Sequence, residues 1–297
     1  MIRLSGLAAL MRPTNMLICA FSTICGGIIC GKPLARITEL AVAFSHGDSP
    51  EWGIRLVYAA LSAAIILAAG NTLNDVMDVE TDRINAPWRP IPSQKVSRTE
   101  AMGLSVLLFA AGVILALPLG PGGISIALAA TVLLALYDFR LKGVPLAGNI
   151  TVSALGGLAF IYGGVAGGDV ARSFVPAIFA FLLHLGRELI KDAEDFEGDR
   201  AVGLSTAATA WSVRAALRLA AIVLSLLLLA TAAPFFTGYF GFSYAVIILL
   251  GVWPAVRYGT VLAFRPPTRD RISKASLLLK FAMPMGILAV LAGFQGM

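Results

Sequence analysis

The chain has 297 residues, of which 58% are hydrophobic and 13% are charged, and its mean hydropathy is +0.84. Soluble domains carry about a quarter charged residues, so this composition excludes an ordinary cytosolic globule and a disordered chain, and it indicates a polytopic membrane protein. The net charge of +6 is typical of basic loops that meet anionic lipids or phosphates, and we expect no nucleic-acid partner.

Nine apolar runs follow one another along the chain, and each is close to the ~20 residues that a transmembrane helix needs. We therefore predict a single all-α domain over residues 1–297 with nine transmembrane helices. The runs are 15–31, 54–73, 102–120, 123–139, 146–168, 172–190, 215–236, 241–259 and 276–296.

The basic residues predict the orientation of these helices. If alternate loops lie on opposite sides, 19 of the 23 Lys and Arg residues share the side of the N-terminus. Cytoplasmic loops carry the excess of Lys and Arg, so we expect a multi-pass cell-membrane protein with a cytoplasmic N-terminus. Polar loops at about 74–101, 140–145 and 191–214 then face the cytoplasm. The long segment 33–55 on the other side predicts an interfacial helix.

A first acidic cluster follows the second span, at Asp75, Asp78, Glu80 and Asp82. If the helix continues past the span, its three aspartates share one face, and Asn74 aligns with Asp78 and Asp82. Stacked like charges repel each other, so such a helix favours a bound cation. Carboxylate ligands with open coordination positions suit Mg²⁺ together with a substrate phosphate.

Basic residues come next on the same predicted side. Arg89 opens an Arg-Pro-Ile-Pro-Ser loop, Lys95 and Arg98 follow it, and Tyr137 and Lys142 frame the end of the fourth span. Such residues can bind a diphosphate, or they can simply anchor the loops at the membrane surface as positive charges.

The end of the sixth span carries a second acidic cluster that matches the first. Three Asp, one Glu and one Arg repeat the first cluster at a constant shift of 117 residues, which predicts a duplicated four-helix unit with the site between its halves. The repeated residues are Asp192, Asp195, Glu197, Asp199 and Arg200. Glu80 and Glu197 point off the face of the aspartates, where each can pair with the arginine three residues later, and we expect both to be structural or solvated rather than metal ligands.

Several plainer interpretations compete with a catalytic site. The acids can be solvated loop residues, but two matched clusters on one side of the membrane favour function. A transporter, the non-enzyme alternative, places its ionisable residues near the midplane, whereas these lie at one edge. A CDP-alcohol phosphotransferase also uses membrane aspartates, but its signature begins Asp-Gly, and neither acidic stretch contains that pair.

Taken in order, these motifs resemble the UbiA superfamily of intramembrane prenyltransferases, and the resemblance covers nearly the whole chain. It implies nine transmembrane helices around a central cavity, with the motif loops as a cytoplasmic cap. The second motif is most similar to the archaeal branch, although residues 85–89 and 204–208 depart from the family pattern. The motifs are Asn74-Asp75-x-x-Asp78-x-x-x-Asp82, Arg89-Pro-Ile-Pro-Ser, Tyr137-Asp138-x-x-x-Lys142 and Arg187-Glu188-x-x-Lys191-Asp192-x-x-Asp195-x-x-x-Asp199.

The resemblance also implies roles for these residues. It implies Asp78, Asp195 and Lys142 as catalytic residues. The implied substrate-binding residues are Asn74, Arg89, Tyr137, Lys142 and Lys191. The implied Mg²⁺ ligands are Asn74, Asp75, Asp78, Asp82, Asp192, Asp195 and Asp199.

The expected reaction is Mg²⁺-dependent transfer of a geranylgeranyl group from its diphosphate to geranylgeranylglyceryl phosphate, a step of archaeal ether lipid synthesis. Transfer to an aromatic acceptor such as 4-hydroxybenzoate, a quinone step, is the alternative. The expected partners are the prenyl diphosphate, a lipid-like or aromatic acceptor and membrane lipids. A glycerol-phosphate acceptor needs a second anion site, for which the candidates are Lys95, Arg98, Lys191 and Arg200.

Overall fold

The computed structural model describes residues 2–30 and 51–294, and these residues form helices and no β-strand beyond an isolated bridge between Phe240 and Phe294. Most of the predicted interfacial segment 33–55 lies outside the described residues. The helices are α1 (Ile2–Met11), α2 (Pro13–Ile29), α3 (Glu51–Met77), α4 (Val79–Asn85), α5 (Arg98–Leu115), α6 (Gly120–Leu136), α7 (Ala147–Gly167), α8 (Phe174–Glu194), α9 (Phe196–Ala201), α10 (Ala207–Ala210), α11 (Val213–Phe236), α12 (Phe242–Ile247), α13 (Trp253–Leu262) and α14 (Arg269–Gly293).

Six helical segments of the described ranges are long and apolar enough to cross a bilayer, and the bent pair Ser5–Met11 and Pro13–Ile29 would make seven. The six are Glu51–Met77, Arg98–Leu141, Ala147–Gly167, Val213–Phe236, Phe242–Leu262 and Arg269–Gly293. The predicted number of nine spans exceeds these seven by two. Residues 98–141 contain two predicted spans, and α8 is not among the six because its second half is rich in charged residues.

The 44 residues of the segment Arg98–Leu141 would reach about 66 Å as a straight helix, roughly twice the thickness of a bilayer core. The chain instead reverses at a 3₁₀ turn, Leu117–Leu119. Ser105 Oγ donates to Ala69 O (2.9 Å) and Ser62 Oγ donates to Gly112 O (2.7 Å), so α5 runs antiparallel to α3. The next helix, α6, runs parallel to α3, since Leu119 lies beside Arg55 and Asp138 beside Asn74.

Glycines allow α2 and α7 to touch backbone to backbone. A methyl group on Gly163 would overlap the main-chain oxygen of Thr23, and one on Gly26 would overlap that of Phe160. Small residues permit such approaches between membrane helices. The pairs 23–163 and 26–160 also show that the two helices are antiparallel.

Residues that favour helix ends stand at the ends of the helices around the site. Pro13, whose missing N–H costs nothing in a first turn, begins α2 directly after Arg12. Ser97 and Glu100 form a capping box at the start of α5, and Thr206 and Thr209 form one at the start of α10. Gly168 ends α7 with a φ of 91°, a conformation that suits glycine.

Candidate active site

The predicted site residues lie at one end of the bundle, which we call the polar end. Asn74 at the end of α3 donates to Asp138 Oδ1 (2.9 Å), just after α6. Asn149 in the first turn of α7 donates to Asp192 Oδ2 (3.2 Å), near the end of α8. Since α3, α6 and α8 end here and α7 begins here, residues far apart in sequence meet.

The helix does not continue unbroken through either acidic cluster, as the sequence analysis had supposed. It is interrupted at Asp78 (φ −91°, ψ 10°) and, in nearly the same backbone conformation, at Asp195 (φ −90°, ψ 3°). At each break one helical ladder ends and the next begins on the same residue: Asp78 N donates to Asn74 O (2.9 Å) and Asp82 N to Asp78 O (2.7 Å), while Asp195 N donates to Lys191 O (2.9 Å) and Asp199 N to Asp195 O (3.0 Å). The two positions are 117 residues apart, so the sequence repeat coincides with a repeated backbone feature.

The two acidic segments are in direct contact. Asn85, the last residue of α4, donates from its side-chain amide to the main-chain oxygen of Asp195 (3.2 Å). Gly198 in α9 leaves the space for this amide, since a methyl group there would overlap it. The short helices α4 and α9 therefore hold the clusters against each other.

The acids of the first segment are neutralised by basic side chains. Arg89 Nη1 donates to both carboxylate oxygens of Asp82 (2.8 and 2.7 Å) and to Asp75 Oδ1 (3.3 Å). Arg12, at the junction of α1 and α2, forms a second ion pair with Asp75, and Lys142 forms one with Asp78. The sequence analysis missed Arg12, because only the tertiary fold brings it to α3.

Burial and neighbouring charges shift the pKa values of Asp82 and Arg89. Burial raises the pKa of Asp82, and Arg89 opposes the rise by attraction and hydrogen bonding. For Arg89, burial alone would lower the pKa, but the attraction of Asp75 and Asp82 is stronger and raises it. Arg89 therefore stays charged, as a ligand for phosphate must.

The acids of the second segment have fewer basic partners than those of the first. Asp192 Oδ2 accepts hydrogen bonds from Asn149 and from Ala207 N (3.1 Å), which fixes it to α7 and α10. Within residues 2–30 and 51–294, no ion pair or side-chain hydrogen bond reaches the carboxylates of Asp195 and Asp199. Burial, with the neighbouring charge of Asp195, raises the pKa of Asp199 to about 7.

Lys142 lies between the two clusters. It is paired with Asp78, and its charge also acts on Asp199 and Glu188. Tyr137 lies within electrostatic range of Asp78 and Asp192. The structure thus brings both residues of the loop after the fourth predicted span to the predicted site.

The two glutamates that we did not expect to bind metal, Glu80 and Glu197, are both exposed. Glu80 pairs with Arg83 (2.7 Å) on the exposed surface, as expected. Among the described residues Glu197 forms no pair with Arg200, but its side chain is exposed, in agreement with the expectation of a solvated glutamate. Arg200 instead lies over the ring of Phe196, 5.9 Å from its centre, in a cation–π arrangement.

The donors at the polar end fit a hard cation such as Mg²⁺, because they are carboxylates and amides of two facing segments. Asp195 and Asp199 hold open carboxylates, while Asp78 and Asp82 are held by basic side chains. Among the described residues, no three Asp, Glu, His or Cys side chains converge closely enough to hold a metal ion. Bringing Asp78 and Asp82 to a shared metal would therefore require Lys142 and Arg89 to release them.

A cavity of about 430 Å³ opens from the polar end into the bundle. Asn74, Arg89, Tyr137 and Lys191 line its polar part, and apolar residues such as Ile126 and Leu134 line its depth. Arg12, Arg187, Glu188 and Lys280 line it too. None of these four was among the predicted site residues, although Arg187 and Glu188 belong to the second motif.

Of the four residues predicted to form a second anion site, Lys191 alone lines this cavity. Lys95, Arg98 and Arg200 are exposed on the outer surface. These three side chains therefore do not form an anion site within the cavity.

Comparison with known proteins places this geometry in context. The model of the UbiA prenyltransferase family matches residues 37–292. The digeranylgeranylglyceryl phosphate synthase of Methanopyrus kandleri is 36% identical over 283 residues, covering 95% of this chain and 97% of that protein. The synthase of the same name from Methanothermobacter thermautotrophicus is 36% identical over 266 residues, covering 88% and 91%.

Solved structures give the same result for the fold. One that concerns digeranylgeranylglyceryl phosphate synthase in membranes is 28% identical, with a TM-score of 0.72, and 99% of each chain is covered. A UbiA homologue from Archaeoglobus fulgidus, bound to GPP and Mg²⁺, is 14% identical with a TM-score of 0.57, covering 96% of this chain and 99% of that one.

Proposed function

Since this chain belongs to the UbiA prenyltransferase family, we propose that it is the prenyltransferase that moves a geranylgeranyl group from its diphosphate to geranylgeranylglyceryl phosphate. The observation that carries the proposal is the contact between two matched acidic segments at the mouth of an apolar cavity, with Lys142 between them. Full-length relatives named for this synthesis support the choice of acceptor.

We assign Mg²⁺ binding to Asn74, Asp78 and Asp82 of the first segment and to Asp195 and Asp199 of the second. Asp75 and Asp192, whose carboxylates already hold Arg12 and Asn149, would instead fix the walls of the site. When bound, Mg²⁺ would neutralise the negative charge that develops on the departing diphosphate. The Mg²⁺-bound homologue supports a divalent metal in this fold.

Side chains of the protein would bind both substrates and exclude water during the reaction. Lys142 and Arg89 are placed to donate to the diphosphate as its bond to the allylic carbon breaks, and Lys191 and Tyr137 to orient it. The prenyl tail would lie in the apolar depth of the cavity, beside Ile126 and Leu134. Such a chamber excludes water from the allylic cation, so that the acceptor hydroxyl rather than water attacks it.

The same proposal includes the topology. Nine spans follow if α5 and α6 each cross the membrane, as their opposite directions along α3 support, and if α2 and α8 also cross. The N-terminus and the polar end would then be cytoplasmic, as the distribution of Lys and Arg favours. The repeated backbone break at Asp78 and Asp195 supports a duplicated four-helix unit.

Transfer to an aromatic acid is the second candidate, because the donor half of the site would be identical. Purified protein with Mg²⁺ and geranylgeranyl diphosphate should be offered geranylgeranylglyceryl phosphate and 4-hydroxybenzoate in parallel. We expect product from the lipid and almost none from the aromatic acid. Product from 4-hydroxybenzoate alone would overturn the choice of acceptor.

A further inference from the structure

Three cations meet on one wall of the cavity, and Arg12, which pairs with Asp75, is the one next to the first acidic cluster. Arg12 comes from the junction of α1 and α2, Arg187 from α8 and Lys280 from α14, and all three line the same cavity. They are close enough that the charges of Arg187 and Arg12 both repel that of Lys280. Their convergence is a property of the tertiary fold, since they come from three separate helices.

Among the described residues, carboxylates nearby balance two of these three charges and leave that of Lys280 unbalanced. Arg12 is paired with Asp75, and Arg187 Nη1 donates to Glu188 Oε1 (2.9 Å). In the part of the chain that the structure describes, no carboxylate pairs with Lys280. An uncompensated cation in a partly buried wall of a membrane protein is costly, and repulsion from two neighbours adds to that cost. An anion bound at this wall would compensate the charge of Lys280.

An apolar cavity leads away from these cations. Ile18, Ser22, Gly156, His184 and Met283 line both cavities, so the second, narrower one adjoins the first. Its volume is about 60 Å³, enough for the first few carbons of a chain. On α14, Met283 and Ile287 follow Lys280 at three and seven residues, so they share its helix face. An amphiphile held at Lys280 would therefore direct its hydrocarbon along α14.

We propose that Lys280 and Arg187, with Arg12 beside them, form the site for the phosphate of the acceptor lipid. The inference rests on the proposed function and goes beyond it by separating the two anions of the reaction. The diphosphate of the donor binds at the acidic segments with Mg²⁺, Lys142 and Arg89. The phosphomonoester of the acceptor binds at the wall of cations, so its hydroxyl can face the donor across the cavity.

The test uses the full chain in detergent with Mg²⁺ and geranylgeranyl diphosphate, and compares Lys280→Gln, Lys280→Arg and wild type. The matched control is Lys274→Gln, on the same helix but exposed and outside the cavity. The measurements are KM for the donor, KM for geranylgeranylglyceryl phosphate, and the inhibition constant of the same lipid without its phosphate.

We expect Lys280→Gln to raise KM for the phosphorylated acceptor about 10- to 100-fold, the usual effect of one lost charged hydrogen bond. KM for the donor and the inhibition constant of the phosphate-free lipid should stay unchanged, and Lys280→Arg should recover most of the affinity. An unchanged KM for the acceptor, or equal losses for both lipids, would overturn the inference. A wild-type protein that prenylates neither acceptor would instead refute the proposed function, before any variant is measured.

Discussion

The side-chain amide of Asn85 donates to the main-chain oxygen of Asp195 across 110 residues of sequence, at 3.2 Å. This bond joins the loop after the first acidic cluster to the backbone break inside the second. Because it acts on the main chain, it fixes the separation of the two clusters without occupying a carboxylate. The residues proposed as metal ligands on both segments would therefore be positioned before a metal binds.

The first prediction concerns this contact. In Gly198→Ala the new methyl group would overlap the amide of Asn85, so this amide must move away and its hydrogen bond to Asp195 is lost. We expect the Mg²⁺ concentration for half-maximal activity to rise about tenfold, in the range typical of lost outer-shell contacts. Gly103→Ala is the control, because nothing lies within 4 Å of a methyl group there. Equal Mg²⁺ dependence in both variants would contradict the bridging role.

The second prediction tests the acids themselves. Asp78→Asn and Asp195→Asn each remove one negative charge from a proposed metal ligand while keeping its shape. We expect kcat to fall by about 10²–10³, the usual cost of removing one preorganised electrostatic group. Glu80→Gln, on the exposed surface beside Arg83, should retain wild-type turnover. Near wild-type activity in both Asp variants would refute the metal assignment.

The third prediction concerns Lys142. In Lys142→Met the leaving diphosphate loses a donor, so we expect kcat to fall about 100-fold with a smaller change in KM for the acceptor. Because Lys142 also neutralises Asp78, the thermal midpoint of the variant should be measured alongside the kinetics. Arg140→Met, two residues away and exposed, serves as the control. A variant of Lys142 that loses stability but keeps its turnover would argue for a purely structural role.

The fourth prediction concerns packing away from the site. In Gly163→Ala the methyl group would overlap the main-chain oxygen of Thr23 and lie 2.8 Å from Gly27 N. Neither backbone group can move without separating α2 from α7, so we expect a loss of about 1–3 kcal/mol in the free energy of unfolding. Thermal unfolding in detergent would measure it against Gly122→Ala, where the nearest atom is 3.4 Å away.

The sequence predicted the family, the helical membrane fold and the prenyltransferase activity, because the motifs and apolar runs are local. It also predicted which residues meet at the polar end, since Asn74, Lys142 and Asp192 all follow from their places at helix ends. It could not predict Arg12 or Lys280. Their roles depend on which helix faces meet in the cavity, and a lone base in an apolar run looks like a surface anchor.

The break at Asp78 and the contact of Asn85 with Asp195 were beyond the sequence for another reason. Neither a proline nor a glycine lies beside Asp78 or Asp195, so no helix-breaking residue marks where the helical hydrogen bonds are interrupted. The second half of α8 can carry charged residues because Arg187, Glu188 and Lys191 line the cavity rather than face lipid.

The pairing of Asp75, Asp78 and Asp82 with Arg12, Lys142 and Arg89 has a thermodynamic consequence. Basic side chains from three parts of the chain already neutralise the aspartates of the first segment, so a divalent ion bound to this segment by itself would create excess positive charge there. A diphosphate arriving by itself would meet open carboxylates on the second segment. The divalent ion and the diphosphate would each remove the electrostatic cost of binding the other. We therefore expect each ligand to raise the affinity of the protein for the other strongly and by the same factor.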